Sequence, residues 1–201
     1  MTKILILFAH PRLEKSHVNA ALLEAIPDRP DILLHDLYEE YPDFNIDIAR
    51  EKQLLTDHEI IVWHHPFYWY NAPPLLKQWI DMVLEFRWAY GPGGTALKGK
   101  SIFNVITSGG TEEAYSHEGR NRFTVREFLA PFEQTARLCH LAYLPPFLVQ
   151  GTHRLSDEQI RGHAEGYRRL LIGLADGRLL PESLAPLPQL NDAVSKEDSR
   201  S

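Results

Sequence analysis

The sequence predicts an α/β fold: an open, five-stranded parallel sheet with helices on both faces. Three observations carry that prediction. Residues 4–9 (Ile-Leu-Ile-Leu-Phe-Ala) are a continuous apolar run of strand length, as a strand buried on both faces requires. Similar runs alternate with segments of helical periodicity, the pattern of successive βα units. Residues 62–81 hold one such unit, an apolar strand that breaks into an aromatic loop and restarts as a helix. By analogy with folds of this class the expected strand order is 2-1-3-4-5, with a ligand crevice beyond the carboxyl ends of strands one and three.

The elements follow in order. After the first strand comes a polar loop over 10–16, and Val18, Ala21, Leu22, Ala25 and Ile26 then recur at helical spacing until Pro27. Residues 32–37 give a second strand and 38–45 a loop. Asp47 caps a helix with Ile48, Leu54 and Leu55 on one side. Residues 59–63 are the third strand and 73–86 a helix, opened by Pro73 and Pro74, whose missing N–H groups cost little in a first turn. Its apolar face carries Trp79, which reads as core. Residues 101–107 are the fourth strand. A long helix is expected over 123–141, kinked or divided at Pro131, and a fifth strand over 142–150. Ser156 caps the last helix, whose buried stripe is Ile160, Ala164, Tyr167 and Leu171. One domain over 1–177 and an irregular or disordered tail over 178–201 are expected, the tail carrying Pro181, Pro186 and Pro188, then Lys196, Glu197 and Asp198.

Composition narrows the function. With 201 residues, 44% apolar and 24% charged, the chain fits one soluble domain. A net charge of -6 argues against nucleic acid or an anionic membrane as a partner through bulk electrostatics. The single cysteine, Cys139, lies in a helical pattern and reads as a buried small hydrophobe, so neither a disulfide framework nor a cysteine-based metal site is expected. The amino terminus enters an apolar run without a charged leader, and no window approaches the ~20 apolar residues of a membrane span. A reducing cytoplasm is the expected location.

Three loops carry the chemistry. Phe67, Tyr68, Trp69 and Tyr70 stand in a row, and leaving so much apolar area in water is unfavourable by roughly 25 cal/mol per Å², so a flat ligand or a second subunit is expected to cover them. The loop after strand one has neither a G-x-G-x-x-G nor a Walker pattern. A phosphate cradle there would use Ser16, His17, Val18 and Asn19 at a helix amino terminus, with His10 adding a donor or a positive charge. The loop after strand four, Thr107, Ser108, Gly109 and Gly110, offers small side chains that let backbone N–H groups approach a ring's carbonyl edge.

Further motifs join these: Ala9-His10-Pro11, residues 41–47 (Tyr-Pro-Asp-Phe-Asn-Ile-Asp), His65-Pro66 with Trp69-Tyr70, Pro73-Pro74-Leu75-Leu76-Lys77, Trp88-Ala89-Tyr90-Gly91, Gly93-Gly94 and Gly99-Lys100. Together they resemble the flavodoxin-like NAD(P)H:quinone oxidoreductases over residues 4–174, and most of all the ancillary oxidoreductases of glutathione-gated potassium efflux systems. The resemblance implies a flavodoxin-like fold and a flavin, FMN in preference to FAD. The phosphate would lie on His10 and Ser16 to Asn19, and the ring against Phe67 to Tyr70 and Thr107 to Gly110. It also implies a homodimer with the flavin near the interface.

By the same resemblance, NAD(P)H would reduce the flavin by hydride transfer, and a quinone or similar electrophile would then take two electrons. Tyr115 matches the family's relay tyrosine. Asn121 stands where the relay histidine would be; it can donate a hydrogen bond but cannot shuttle a proton at neutral pH. His117 lies nearby as a substitute, and Arg120 or Arg122 would meet a nicotinamide cofactor's phosphate. A potassium efflux transporter is the implied partner, which would hold a cytoplasmic protein at the inner membrane. Two other readings stay open: a regulatory flavin-binding module that docks on an antiporter, through residues 41–47 for instance, with catalysis secondary, and a free-standing flavin reductase or azoreductase.

Overall fold

All five residues of β1 (Ile4–Phe8) are buried, and their alternation decides the layering. Leu5 and Leu7 enter one apolar layer, Ile4 and Ile6 the other. In this computed structural model, which describes residues 1–195, β1 is flanked by β2 (Ile32–Asp36) and β3 (Ile60–Pro66). β3 pairs in turn with β4 (Ser101–Ser108), and β4 with both β5 (Ala142–Tyr143) and β6 (Phe147–Gln150). Every pairing is parallel, and the order β2-β1-β3-β4-β5 is the expected one. The expected fifth strand is divided in two, because Pro145 and Pro146 have no N–H to give to β4.

The helices cover both faces. On one lie α2 (Leu37–Glu40), α3 (Ile48–Asp57), α4 (Pro74–Val83), α5 (Val125–Phe128) and α6 (Ala130–Leu138), with Trp63, Trp79 and Phe132 in the layer beneath them. On the other lie α1 (His17–Glu24) and α7 (Asp157–Ala175), over Val62, Phe103 and Phe147. Cys139 is buried in the first layer, where burial pushes its thiol up to about 11, so it behaves as a hydrophobe. No helix among the described residues is long and apolar enough to cross a membrane.

Several expectations are corrected. Residues 37–40 of the expected second strand and loop form α2, because Asp36 Oδ1 accepts from the Tyr38 N–H at 3.0 Å and caps the turn. The long helix is two pieces broken at Leu129, with Pro131 in the first turn of α6 where no N–H is needed. The helix expected to reach Phe86 ends at Val83. The irregular segment expected from Arg178 carries α8 (Pro181–Leu184) and α9 (Asn191–Ser195), with Leu184, Leu190 and Val194 buried over the α7 layer. Asn191 fastens it, accepting from the Leu148 N–H and donating to the Leu148 carbonyl, both at 2.9 Å. Lys196, Glu197 and Asp198 lie outside the described residues.

β3 runs three residues further than expected, through His64, His65 and Pro66, all three in register with β4. Both histidines are completely buried, one on each side of the sheet. Burial pushes their imidazoles down to about 3 for His64 and about 4 for His65, so both are neutral. His65 donates from Nδ1 to the Pro66 carbonyl at 2.9 Å, and its Nε2 accepts from Asn104 Nδ2 at 3.1 Å.

A buried carboxylate organises the α2–α4 side. Glu51 accepts from His35 Nε2 at 2.8 Å, from Trp79 Nε1 at 2.7 Å and from the Tyr41 hydroxyl. Desolvation pushes its pKa up, but the bonds from His35, Tyr41 and Trp79 outweigh it and hold the carboxyl below its ordinary value. The 41–47 loop is thereby pinned down, with Tyr41 and Ile46 buried and the Phe44 carbonyl held by Gln78 at 2.9 Å.

Candidate functional site

The loops leaving β1, β3, β4 and β6 meet at one edge of the sheet around a cleft of about 320 Å³, within the usual size range of a small-molecule site. His10, Ser16, His17, Val18 and Asn19 line one part of it; Phe67, Tyr68, Thr107, Ser108 and Gly109 line the rest. Residues from three separated loops, selected on sequence, are thus neighbours in space.

The first loop is held by α1. Ser16 is the helix cap, and its Oγ accepts from the Asn19 N–H at 3.4 Å and from Asn19 Nδ2 at 2.8 Å. Asn19 Nδ2 also donates to Thr107 Oγ1 at 2.9 Å, which ties this loop to the end of β4. His10 is buried, and its Nδ1 accepts from the Arg12 N–H at 3.1 Å. Burial lowers the His10 pKa and outweighs the opposing pull of Glu14, so this residue offers a neutral Nε2–H donor rather than the alternative of a positive charge. Positive charge comes instead from Arg12 and Lys15, which also line the cleft.

The aromatic loop divides. The Phe67 N–H donates to the Thr107 carbonyl at 2.8 Å, prolonging the β3–β4 ladder by one bond. Its ring is buried against Tyr115 and Phe128, at 5.7 and 5.9 Å between centroids. The Tyr68 ring meets His10 edge-on at 5.8 Å, joining the first two loops. Trp69 and Tyr70 do not line the cleft. Both have positive φ, 50° and 63°, and Trp69 is 92% exposed. Tyr70 stacks on Phe128 at 4.9 Å instead, and its hydroxyl donates to Asn121 Oδ1 at 3.3 Å.

Gly109 lines the cleft, and Gly110 lies just behind it. A Cβ on Gly110 would come within 2.6 Å of the Tyr115 ring, so only glycine admits that ring here. Tyr115, half-buried against Phe67, and Asn121, bonded to Tyr70, are not among the lining residues. Burial, then the neighbouring Tyr70, raises the Tyr115 pKa against the pull of Arg120. His117 is turned to Glu127, 3.0 Å away at the surface, and that carboxylate raises its pKa.

Sequence reasoning missed Arg12, Lys15, Pro66, Thr152 and His153 among the lining residues. The signal for the last two was available, since they follow the last strand at the same sheet edge. The His153 ring lies over Gly109, within 2.9 Å of where a Cβ would stand.

An open parallel sheet of this order with a cleft at the carboxyl edge defines a class, and the chain belongs to it: a model of the flavodoxin-like fold family matches residues 2–171. Among the relatives is the glutathione-regulated potassium-efflux system ancillary protein KefG of Serratia proteamaculans (strain 568). It is 46% identical over 165 residues, which make up 82% of this chain and 90% of that protein. Solved structures agree. General stress protein 14 of Treponema denticola, in complex with FMN, is 38% identical with a TM-score of 0.78, covering 88% of this chain and 99% of that one. A P. pentosaceus protein described as an NADPH-quinone reductase is 30% identical with a TM-score of 0.77, covering 84% and 96%. A structure described as a thermophilic tryptophan halogenase from Streptomycin violaceusniger is 42% identical with a TM-score of 0.80, covering 82% and 96%.

Proposed function

We propose that this chain is a flavin-dependent NAD(P)H:quinone oxidoreductase that holds FMN in the cleft. The observation that carries the reading is the convergence of an anion-ready helix terminus and an aromatic wall in one cleft. Ser16, Asn19, Arg12 and Lys15 stand at one part of it, Phe67 and Tyr68 at the other. The residues present fit such a cofactor: an uncapped phosphate suits the cations and the α1 amino terminus, and a ring suits the apolar wall. The FMN complex of the T. denticola relative and the quinone reductase description of the P. pentosaceus relative support the same reading.

When bound, the flavin supplies hydride acceptance from NAD(P)H and two-electron delivery to a quinone or similar electrophile. The protein's part is positioning. Arg12 and Lys15 would neutralise the phosphate, and the His10 Nε2–H and the α1 terminus would donate to it. Phe67 and Tyr68 would exclude water from the ring, with Trp69 and Tyr70 outside the cleft lining. The small residues Ser108 and Gly109 would let backbone N–H groups approach its polar edge. Tyr115, packed against Phe67 beside the cleft, would supply a proton there, while Asn121, bonded to Tyr70, fixes the adjoining aromatic cluster. A homodimer would cover the exposed Trp69, and Arg120 or Arg122 would meet the nicotinamide cofactor's phosphate.

The KefG relatives favour a second level of the same reading, in which this cytoplasmic oxidoreductase serves a potassium efflux transporter at the inner membrane. Two measurements test the proposal. Stopped-flow mixing of the flavin-loaded protein with NADH or NADPH, then with quinones, should give two fast half-reactions. Co-purification with the transporter encoded nearest to it should survive salt. A protein that binds flavin but is reduced by neither nucleotide contradicts the enzymatic reading, and loss of co-purification contradicts the partnership alone.

A further inference from the structure

We infer that His64, which does not line the cleft, is a positioning residue: through the Asn19 carboxamide it makes the Ser16 and Thr107 hydroxyls donors to the oxygens of a bound anion. The inference rests on the proposed reading of the first loop as a phosphate site.

His64 sits on β3 with no exposed surface, its ring edge-on to Phe8 at 5.0 Å and to Tyr167 at 5.5 Å. Its Nε2 lies 3.2 Å from Asn19 Oδ1, and its Nδ1 has no partner among the described residues. A proton on Nδ1 would be a buried donor with nothing to receive it, so the proton belongs on Nε2, where it is donated to Asn19 Oδ1. That bond fixes which way round the carboxamide stands. Its two N–H bonds are then directed at Ser16 Oγ, 2.8 Å away, and Thr107 Oγ1, 2.9 Å away.

The consequence is chemical. Ser16 Oγ accepts twice, from the Asn19 N–H and from Asn19 Nδ2, which occupies both its lone pairs. Its own O–H can only donate. Thr107 Oγ1 also accepts from Asn19, and neither hydroxyl donates to a protein group among the described residues. Both residues line the cleft, which leaves both protons for a ligand oxygen there. With the carboxamide reversed, its oxygen would take those two protons, and the cleft would present lone pairs to the anion.

The test compares FMN with riboflavin, which lacks the phosphate, by fluorescence titration of the flavin-free protein. His64→Leu removes the donor at similar bulk, and His64→Gln keeps an N–H near the position of Nε2. Asn19→Leu removes the relay itself. We expect His64→Leu and Asn19→Leu each to weaken FMN by at least about tenfold, as for loss of charge-assisted hydrogen bonds, with riboflavin changed less than about twofold. His64→Gln should recover most of that loss, and the double Leu variant should be no weaker than Asn19→Leu alone. Equal weakening of both flavins, no weakening, or failure of the Gln variant to recover overturns the inference while leaving flavin binding intact. If His64→Leu does not fold, the FMN selectivity of Asn19→Leu and His64→Gln decides by the same criteria. Wild-type protein that binds neither flavin overturns the function reading instead, and the inference with it.

Discussion

Asn19 on α1 and Thr107 at the end of β4, 88 positions apart in the chain, are joined by a buried hydrogen bond of 2.9 Å. It clamps the first loop to the fourth strand and so sets the width of the cleft between them. Thr107→Val keeps the shape and removes the acceptor, leaving a buried Asn19 N–H unpaired. A loss of about 1–3 kcal/mol in unfolding free energy is expected, with weaker flavin binding. Urea titration with and without FMN measures both; an unchanged midpoint would show that the clamp carries no stability.

Tyr115 packs against Phe67 and Phe128 through its ring, so Tyr115→Phe should leave stability within about 0.5 kcal/mol. If its hydroxyl supplies the proton, one half-reaction should slow by about a hundredfold, the usual scale of general acid catalysis. Stopped-flow reduction and reoxidation separate the two steps. Equal rates in both would remove Tyr115 from the chemistry.

Glu51 gives the fold an acid limit. Its carboxyl is held below the ordinary value, so its contribution is complete above about pH 4.3, its unfolded value, and is lost as pH falls through the folded one. Stability should fall with acid below about pH 4. Glu51→Gln should cost about 3 kcal/mol at neutral pH, because His35, Tyr41 and Trp79 all lose a charged acceptor, and should flatten the acid slope. Urea midpoints measured from pH 7 to pH 3 check this, and a variant with the wild-type acid slope would contradict it.

Trp69 combines 92% exposure with a φ of 50°, a region that bulky residues enter at a cost of about 1–2 kcal/mol. Trp69→Gly should therefore leave the subunit as stable or about 1 kcal/mol more stable, and the proposed homodimer requires that it also weaken self-association. Sedimentation velocity and thermal unfolding, run together, test the pair of outcomes. A variant that dimerises as wild type does would place the interface elsewhere.

Much of this architecture is legible in the residues. Residues 4–8 are apolar without interruption because both faces of β1 are covered, and the sheet order follows the class of fold. The end of β3 was hidden because histidines are seldom strand core, although here both are buried, His64 bonded to Asn19 of α1 and His65 to the Pro66 carbonyl. The packed α8–α9 segment was hidden because Pro181, Pro186 and Pro188 interrupt the sequence from which Leu184, Leu190 and Val194 reach the core. Ser16, Asn19 and Thr107 were visible as residue types, but not the bonds that join them, since nothing local connects positions so far apart. Thr152 and His153 follow the last strand at the same sheet edge, and the sheet brings His153 over Gly109.

The central claim is that the cleft holds a flavin that turns over. Its most direct test is the visible absorbance spectrum of the purified protein, supplemented with FMN if colourless, before and after NAD(P)H and then a quinone. The account predicts a flavin spectrum near one FMN per subunit, bleached by the nucleotide and restored by the quinone. A colourless protein that takes up neither FMN nor FAD would contradict it.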